Sequence, residues 1–375
     1  MDNAKRKIEH IELCLRNDVV FENNCEDYFE EIILIHQALP GINYSDIDLT
    51  TRFLGCDLRA PILIEAMTGG HPKLKNINEN LAKLAEEFKI AIGLGSQKPI
   101  VKSNFDPEVI ETYKVVRSIA QSVPVIGNIG ITLLHELEIN SIMKLLELVE
   151  VDALAIHLNP AQEIIQPEGD HNFGNILLNK FSDLIKELKI PIIVKEVGHG
   201  LSMEVVRSFR AIGVKFFDVA GACGTNWIKV EALRNPENSV KRDVGLLLSK
   251  MKWGIPTPIS LIESRWIAPD AYIVASGGVW NGIYAAKLIA LGSDLVGVAR
   301  PILKTLIEHG YSGARKYVEK YLEELKTTMF LTGASTLREL RVKPVILGPN
   351  IRYYIESRGI SVREYLDKSR CAHID

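Results

Sequence analysis

Apolar positions along this chain follow two alternating rhythms. Short, nearly unbroken runs rich in Val and Ile are separated by stretches where apolar residues return every three or four positions. After residue 59 there are eight runs. They are PILIEAM from Pro61, IAIGLG from Ile90, PVIGNIG from Pro124, ALAIHLN from Ala153, PIIVKEVG from Pro191, FFDVAGA from Phe216, YIVASGG from Tyr272 and LVGVARP from Leu295. Strands apolar on both sides belong to a parallel sheet covered on both faces. Between them, LKNINENLAKLAEEF repeats Leu74, Ile77, Leu81, Leu84, Ala85 and Phe88 at helical spacing. Gly213 and Gly292 stand where two later helical patterns stop, as C-terminal caps. Eight strands alternating with helices predict an α/β fold, a (β/α)8 TIM barrel over residues 59–345. A doubly wound open sheet is the alternative.

Three regions leave this rhythm. Residues 1–58 precede the barrel with a basic, polar start, and residues 346–375 follow it as a C-terminal tail. Residues 223–262 form a long insertion after the sixth strand. An insertion at a strand's C-terminal end lies on the catalytic face of a barrel, so it is a lid candidate. Residues 311–345 read as a long final helix and a Gly-containing break, LTGAS.

Composition narrows the picture slightly. The chain has 375 residues, 47% hydrophobic and 24% charged, an ordinary globular balance. A net charge of −3 argues against a general nucleic-acid binder. No apolar run approaches the roughly 18 residues of a membrane span, and no signal segment is visible, so a cytoplasmic protein is expected. The five cysteines, Cys14, Cys25, Cys56, Cys223 and Cys371, include no CxxC pair, and reduced thiols are expected.

Chemistry concentrates at the strand ends. Polar residues there build the site of a barrel enzyme. They include Met67 with Thr68, Ser96 with Gln97, Asn128, His157 with Asn159, Lys195 with Glu196, Asp218, Gly277 with Gly278, and Arg300. ASGGVWNG and VARP follow strands seven and eight, where barrels commonly bind phosphate on backbone N–H groups and a helix N-terminus. Lys195, inside an apolar strand, has three open readings: a Schiff base, support for an anionic cofactor ring, or a structural pair with Glu196. Alternation puts Glu196 on the opposite face. Arg6, Lys7 and His10 crowd the N-terminus, where a solvated tail is the plainer reading. Glu163 could serve magnesium, which takes one or two carboxylates plus substrate phosphates.

Taken together, RKIEHI, MTGG, GLGSQ, HLNPAQE, VKEVGHG, AGACGTNW, WGIPT, ASGGVWNG and VARP resemble the type 2, FMN-dependent isopentenyl diphosphate isomerases. The resemblance runs from residue 6 to residue 301. It implies FMN, Mg2+ and NADPH as reductant, a redox-neutral interconversion of isopentenyl and dimethylallyl diphosphate, and a homo-oligomer, tetramer or octamer. It assigns Met67, Thr68, Gly69, Ser96, Asn128, Lys195 and Thr225 to the flavin. Gly277, Gly278, Ala299 and Arg300 would take the FMN phosphate. Arg6, Lys7, His10, Ser96, Gln97, Lys98, Asn159 and Gln162 would bind substrate. Glu163 would hold magnesium. His157 and Gln162 would be catalytic, Gln162 as proton acceptor directly or through water. Lys98, Asn226 and Lys252 depart from the family's usual Arg, Ser and Asp. An FMN-dependent oxidoreductase of the 2-hydroxy acid oxidase or dihydroorotate dehydrogenase type is the enzymatic alternative, and an idle flavin-binding module the non-enzymatic one.

Overall fold

All eight apolar runs become parallel strands of one closed barrel. The computed structural model describes residues 3–21, 24–174, 176–367 and 370. The barrel strands are β1 (Ile62–Ile64), β2 (Ala91–Gly93), β3 (Val125–Gly130), β4 (Ala153–His157), β5 (Ile192–Lys195), β6 (Phe216–Asp218), β7 (Tyr272–Ser276) and β8 (Leu295–Val298). Each pairs with its neighbours in sequence, and β8 pairs with β1 to close the ring.

Burial on both faces explains the unbroken runs. Leu63, Ala91, Ile126, Ala153, Ala155, Ile193, Val274 and Leu295 fill one buried cluster with Phe53 and Leu58. The last two come from the antiparallel pair Thr51–Phe53 and Cys56–Leu58, so a hairpin of the extension packs onto the barrel strands. The alternate residues, among them Ile62, Ile64, Ile92, Val125 and Val194, join the larger core with the surrounding helices. Gly213 and Gly292 adopt φ of 98° and 109° just beyond two helices, the left-handed turn for which glycine is suited.

The flanks are more ordered than a tail and an extension. Ile32–Leu34 pairs antiparallel with Val345–Leu347, joining the N- and C-terminal regions. Helices Pro349–Ser357 and Val362–Asp367 bury Ile351, Ile355 and Tyr365. The final long helix starts earlier than expected, at Arg300. It is interrupted at Gly310 (φ 67°) and ends at Gly333, also left-handed.

The insertion after β6 forms two additional helices, Trp227–Arg234 and Val240–Lys250, ahead of the barrel helix Thr257–Ile267. Asn226 caps the first by accepting from Lys229 N at 3.1 Å, and its amide donates to Ser249 Oγ at 3.0 Å. Lys252 sits in a left-handed turn at φ 55°. The extension runs against this insertion: Phe21 N donates to Gly224 O at 3.1 Å and Asn226 N to Val19 O at 2.8 Å. That pairing brings Cys25 and Cys223 to a Cα–Cα distance of 5.0 Å, where they form a disulfide. The expectation of reduced thiols throughout is corrected at this pair. Cys14 and Cys56 are free, and Cys371 lies outside the described residues.

Candidate functional site

The strand register draws Gly130, His157, Lys195 and Asp218 into line across β3 to β6 at their C-terminal ends. Lys195 is buried there, 2.7 Å from Asp218 Oδ2 and 3.3 Å from Glu65 Oε2. Burial alone would lower its pKa, but the two carboxylates outweigh it and hold it above the ordinary lysine value. An amine paired in this way with two carboxylates is a poor nucleophile toward a carbonyl. The Glu196 carboxylate turns away and accepts from the backbone N–H groups of Val197, Gly198 and His199, as strand alternation requires.

HLNPAQE bends the chain sharply at the end of β4. Pro160 opens the short helix Pro160–Ile165, and Asn159 precedes it in a non-helical conformation. Positions i, i+3 and i+4 then share one face. Asn159 Nδ2 donates to Gln162 Oε1 at 3.2 Å and to Glu163 Oε1 at 3.1 Å. Gln162 Nε2 donates to Glu231 Oε1 at 2.7 Å. Glu231 is fully buried on the insertion helix Trp227–Arg234. Burial would raise its carboxyl. His10, Arg234 and the Gln162 bond oppose this and hold it at about 2, so it remains an anion.

The N-terminal helix Asn3–Leu15 is docked, not solvated. Arg6, Lys7 and His10 line the same cavity, and His10 Nε2 lies 2.9 Å from Glu231 Oε1. Burial, then Arg6, lower Lys7 to about 7, with Glu231 opposing. His10 is lowered chiefly by burial. Lys98 also lines the cavity, 3.7 Å from Glu136 Oε1. His157 Nδ1 meets Asn128 Oδ1 at 2.8 Å. An amide oxygen only accepts, so Nδ1 carries the hydrogen. Burial, followed by the charges of Lys195, Lys7, Lys98 and Arg6, depresses His157 to about 3, so its ring is neutral at pH 7.

Gly277 and Gly278 have φ of 95° and 76°. A Cβ on either would collide with backbone of the loop after β6, at Gly221 and at Cys223. Close loop-to-loop packing therefore demands these glycines. Ala299 immediately precedes the long helix, whose N-terminal end faces the cavity. The Arg300 guanidinium also reaches the first helix. It donates to Cys14 O at 2.6 Å and Arg16 O at 2.9 Å, at the C-terminal end of the first helix.

Of the residues singled out from sequence, Arg6, Lys7, His10, Met67, Thr68, Ser96, Lys98, Asn128, His157, Asn159, Gln162, Glu163, Lys195, Thr225, Gly277, Gly278, Ala299 and Arg300 line one cavity. Gln97, Gly69, Glu196 and Asp218 do not. Gln97 is wholly buried behind the wall, accepting from Asn128 N at 2.8 Å. Gly69 (φ 140°) leaves room for the Tyr113 ring. Sequence reading missed Glu65 and Trp227 on the wall and Glu231 behind Gln162. Among the described residues no cluster of three or more His, Cys, Asp or Glu could hold a metal alone.

Residues 158–346 match the FMN-dependent dehydrogenase family. The chain is 42% identical over 364 residues to the isopentenyl-diphosphate delta-isomerase of Sulfurisphaera tokodaii, covering 96% of each. It is 40% identical over 375 residues to that of Methanothrix thermoacetophila, covering 98% of this chain and 100% of the relative. Among solved structures, mandelate oxidase with 3,3-difluoro-2-hydroxy-3-phenylpropionic acid is similar at TM-score 0.62 and 15% identity, over 92% of this chain and 97% of that one. Flavocytochrome b2 with pyruvate bound is similar at TM-score 0.62 and 18% identity, over 94% and 85%. At such identities the structures share the barrel fold.

Proposed function

The chain belongs to the isopentenyl-diphosphate delta-isomerase family, and from that premise we propose how its residues divide the work of interconverting isopentenyl and dimethylallyl diphosphate on reduced FMN. The single observation that carries the proposal is the Asn159–Gln162–Glu163 face. One short helix would serve both the metal end and the alkene end of a single substrate, because it gathers these three side chains on one face.

The donor set fits FMN. The left-handed Gly277 and Gly278, with the helix N-terminus after Ala299, would take its phosphate on backbone amides. The protonated Lys195 would face an anionic ring. Met67, Thr68, Ser96, Asn128 and Thr225 would complete the flavin wall. Arg300 would contribute by anchoring the first helix beside that wall. When bound and reduced, FMN supplies the acid–base group that exchanges a proton with the alkene, and NADPH would supply the reducing equivalents. Glu163 fits Mg2+ as one carboxylate, with diphosphate oxygens and water completing the shell.

Protonating an unactivated alkene leaves a tertiary carbocation, so water must be excluded around the carbon atoms while the diphosphate is held by cations. Arg6, Lys7, His10 and Lys98 would supply the cationic end. Trp227, Met67 and Leu133 line the cavity with apolar surface. Gln162 Oε1 would receive the departing proton, directly or through a water. The Glu231 carboxylate behind it polarises the amide through the Nε2 bond and raises the basicity of its oxygen.

The enzyme works as a homo-oligomer in this reading. Val240, Val244, Leu247 and Met251 form an exposed apolar stripe at helical spacing beside exposed Trp253. The catalytic reading is tested anaerobically, giving isopentenyl diphosphate to protein with FMN, Mg2+ and NADPH in deuterated water. Deuterium in the dimethylallyl product is expected. Net flavin oxidation by a 2-hydroxy acid, without isomerisation, would favour the oxidoreductase alternative.

A further inference from the structure

Two carboxylates and one ammonium cluster at the ends of three strands: Glu65 after β1 and Lys195 on β5, both lining the cavity, and Asp218 on β6 behind them. Their side chains are only 7%, 8% and 2% exposed. Fully ionised, the group carries one excess negative charge out of water, an arrangement strongly disfavoured unless a proton neutralises it. Asp218 is the more closely engaged carboxylate. It has the shorter contact to Lys195, and its Oδ1 accepts from Ser276 Oγ at 2.6 Å. Glu65 lies farther from Lys195, and its Oε1 finds no hydrogen-bond partner among the described residues. Space is reserved for that carboxyl: a Cβ at Gly297, on β8, would overlap Glu65 Oε1. The titratable groups facing Glu65 are Lys195 and Asp218, while β7 offers the Ser276 hydroxyl and β8 only Gly297.

We propose that Glu65 is a positioning residue for charge. It holds a proton on the cavity floor, so that Lys195 answers one carboxylate and keeps the rest of its field for an anionic reduced flavin. This inference rests on the FMN reading above. Burial, then the charge of Asp218, push the Glu65 carboxyl up to about 8, with Lys195 opposing. The proton is therefore retained at pH 7 and lost in mildly alkaline solution. Loss adds a second negative charge beneath the site and weakens reduced, but not oxidised, FMN binding.

The test compares the dissociation constants of reduced and oxidised FMN for the wild-type protein and Glu65→Gln, which has the shape of the neutral acid and cannot ionise. The two proteins should give the same reduced-to-oxidised ratio at about pH 6.5. At about pH 9, one unit above the titration, the wild type should have lost about tenfold in reduced FMN affinity relative to the variant. Parallel pH profiles, or a constant offset between the proteins, would overturn the proposal. A wild type that binds no FMN at any pH would instead defeat the cofactor reading itself. Infrared spectroscopy of the wild-type holoenzyme gives a check that needs no variant. A protonated-carboxyl stretch should be present at about pH 7 and vanish by about pH 10, and its absence at neutral pH would contradict the inference.

Discussion

Gln162 is a neutral amide, a poor base in water, and its position explains how it could be effective. Its Nε2 is tied to the anion Glu231, and its Oε1 to Asn159. Glu231→Gln should therefore leave FMN binding intact and lower kcat by about 10²-fold, the scale of one positioned proton-transfer group. Stopped-flow turnover with a parallel flavin titration checks this, and an unchanged kcat would contradict it. Two buried histidines set a second prediction. Burial depresses His157 to about 3 and His199 to about 4, from an ordinary 6.5. The unfolded chain binds these protons first as pH falls. Their neutral burial thus contributes stability in full above about pH 6.5, and this is lost as pH drops towards 4 and below. Thermal midpoints should fall over that window, and His199→Gln should flatten the fall. Glu231 was not legible from sequence because it lies 69 positions from Gln162 on an unrelated helix. Glu65 was hidden inside an apolar run, PILIEAM, where its neighbours argue only for burial.

At the scale of elements, the strands were legible because burial on both faces writes continuous apolar runs. The strand-end polar groups followed from the barrel rule. The N-terminal helix was not readable as docked. Arg6, Lys7 and His10 look like a solvated cluster until their cavity and Glu231 are known. The anchoring of that helix by Arg300, over a separation of 286 residues, has no local sequence signal. Gly278 packs the loop after β7 against the loop after β6. Gly278→Ala would force a Cβ into a left-handed backbone position and against the backbone at Cys223. It should cost roughly 1–3 kcal/mol, lower the thermal midpoint and weaken FMN binding. Calorimetry and flavin fluorescence measure both, and a variant with unaltered affinity would show that the loop does not cradle the phosphate.

At the scale of the whole molecule, the barrel holds two flanking regions together and leaves an apolar face of the insertion exposed. The Val240–Lys250 helix turns its small and short side, at Gly245, inward and exposes Val244 and Leu247. Replacing Val244 and Leu247 together by Glu should dissociate the assembly, read as a drop in mass by light scattering. A wild-type monomer, or an assembly indifferent to the change, would refute self-association through this helix.

The central claim is that one cavity seats a flavin and a metal-bound prenyl diphosphate against each other. An anaerobic crystal structure with reduced FMN, Mg2+ and isopentenyl diphosphate examines it directly. The account predicts the flavin phosphate at Gly277–Ala299, the ring beside Lys195, the diphosphate between Arg6, Lys7 and Glu163, and the alkene between the ring and Gln162. A diphosphate bound away from Glu163, or an alkene out of reach of Gln162, would contradict it.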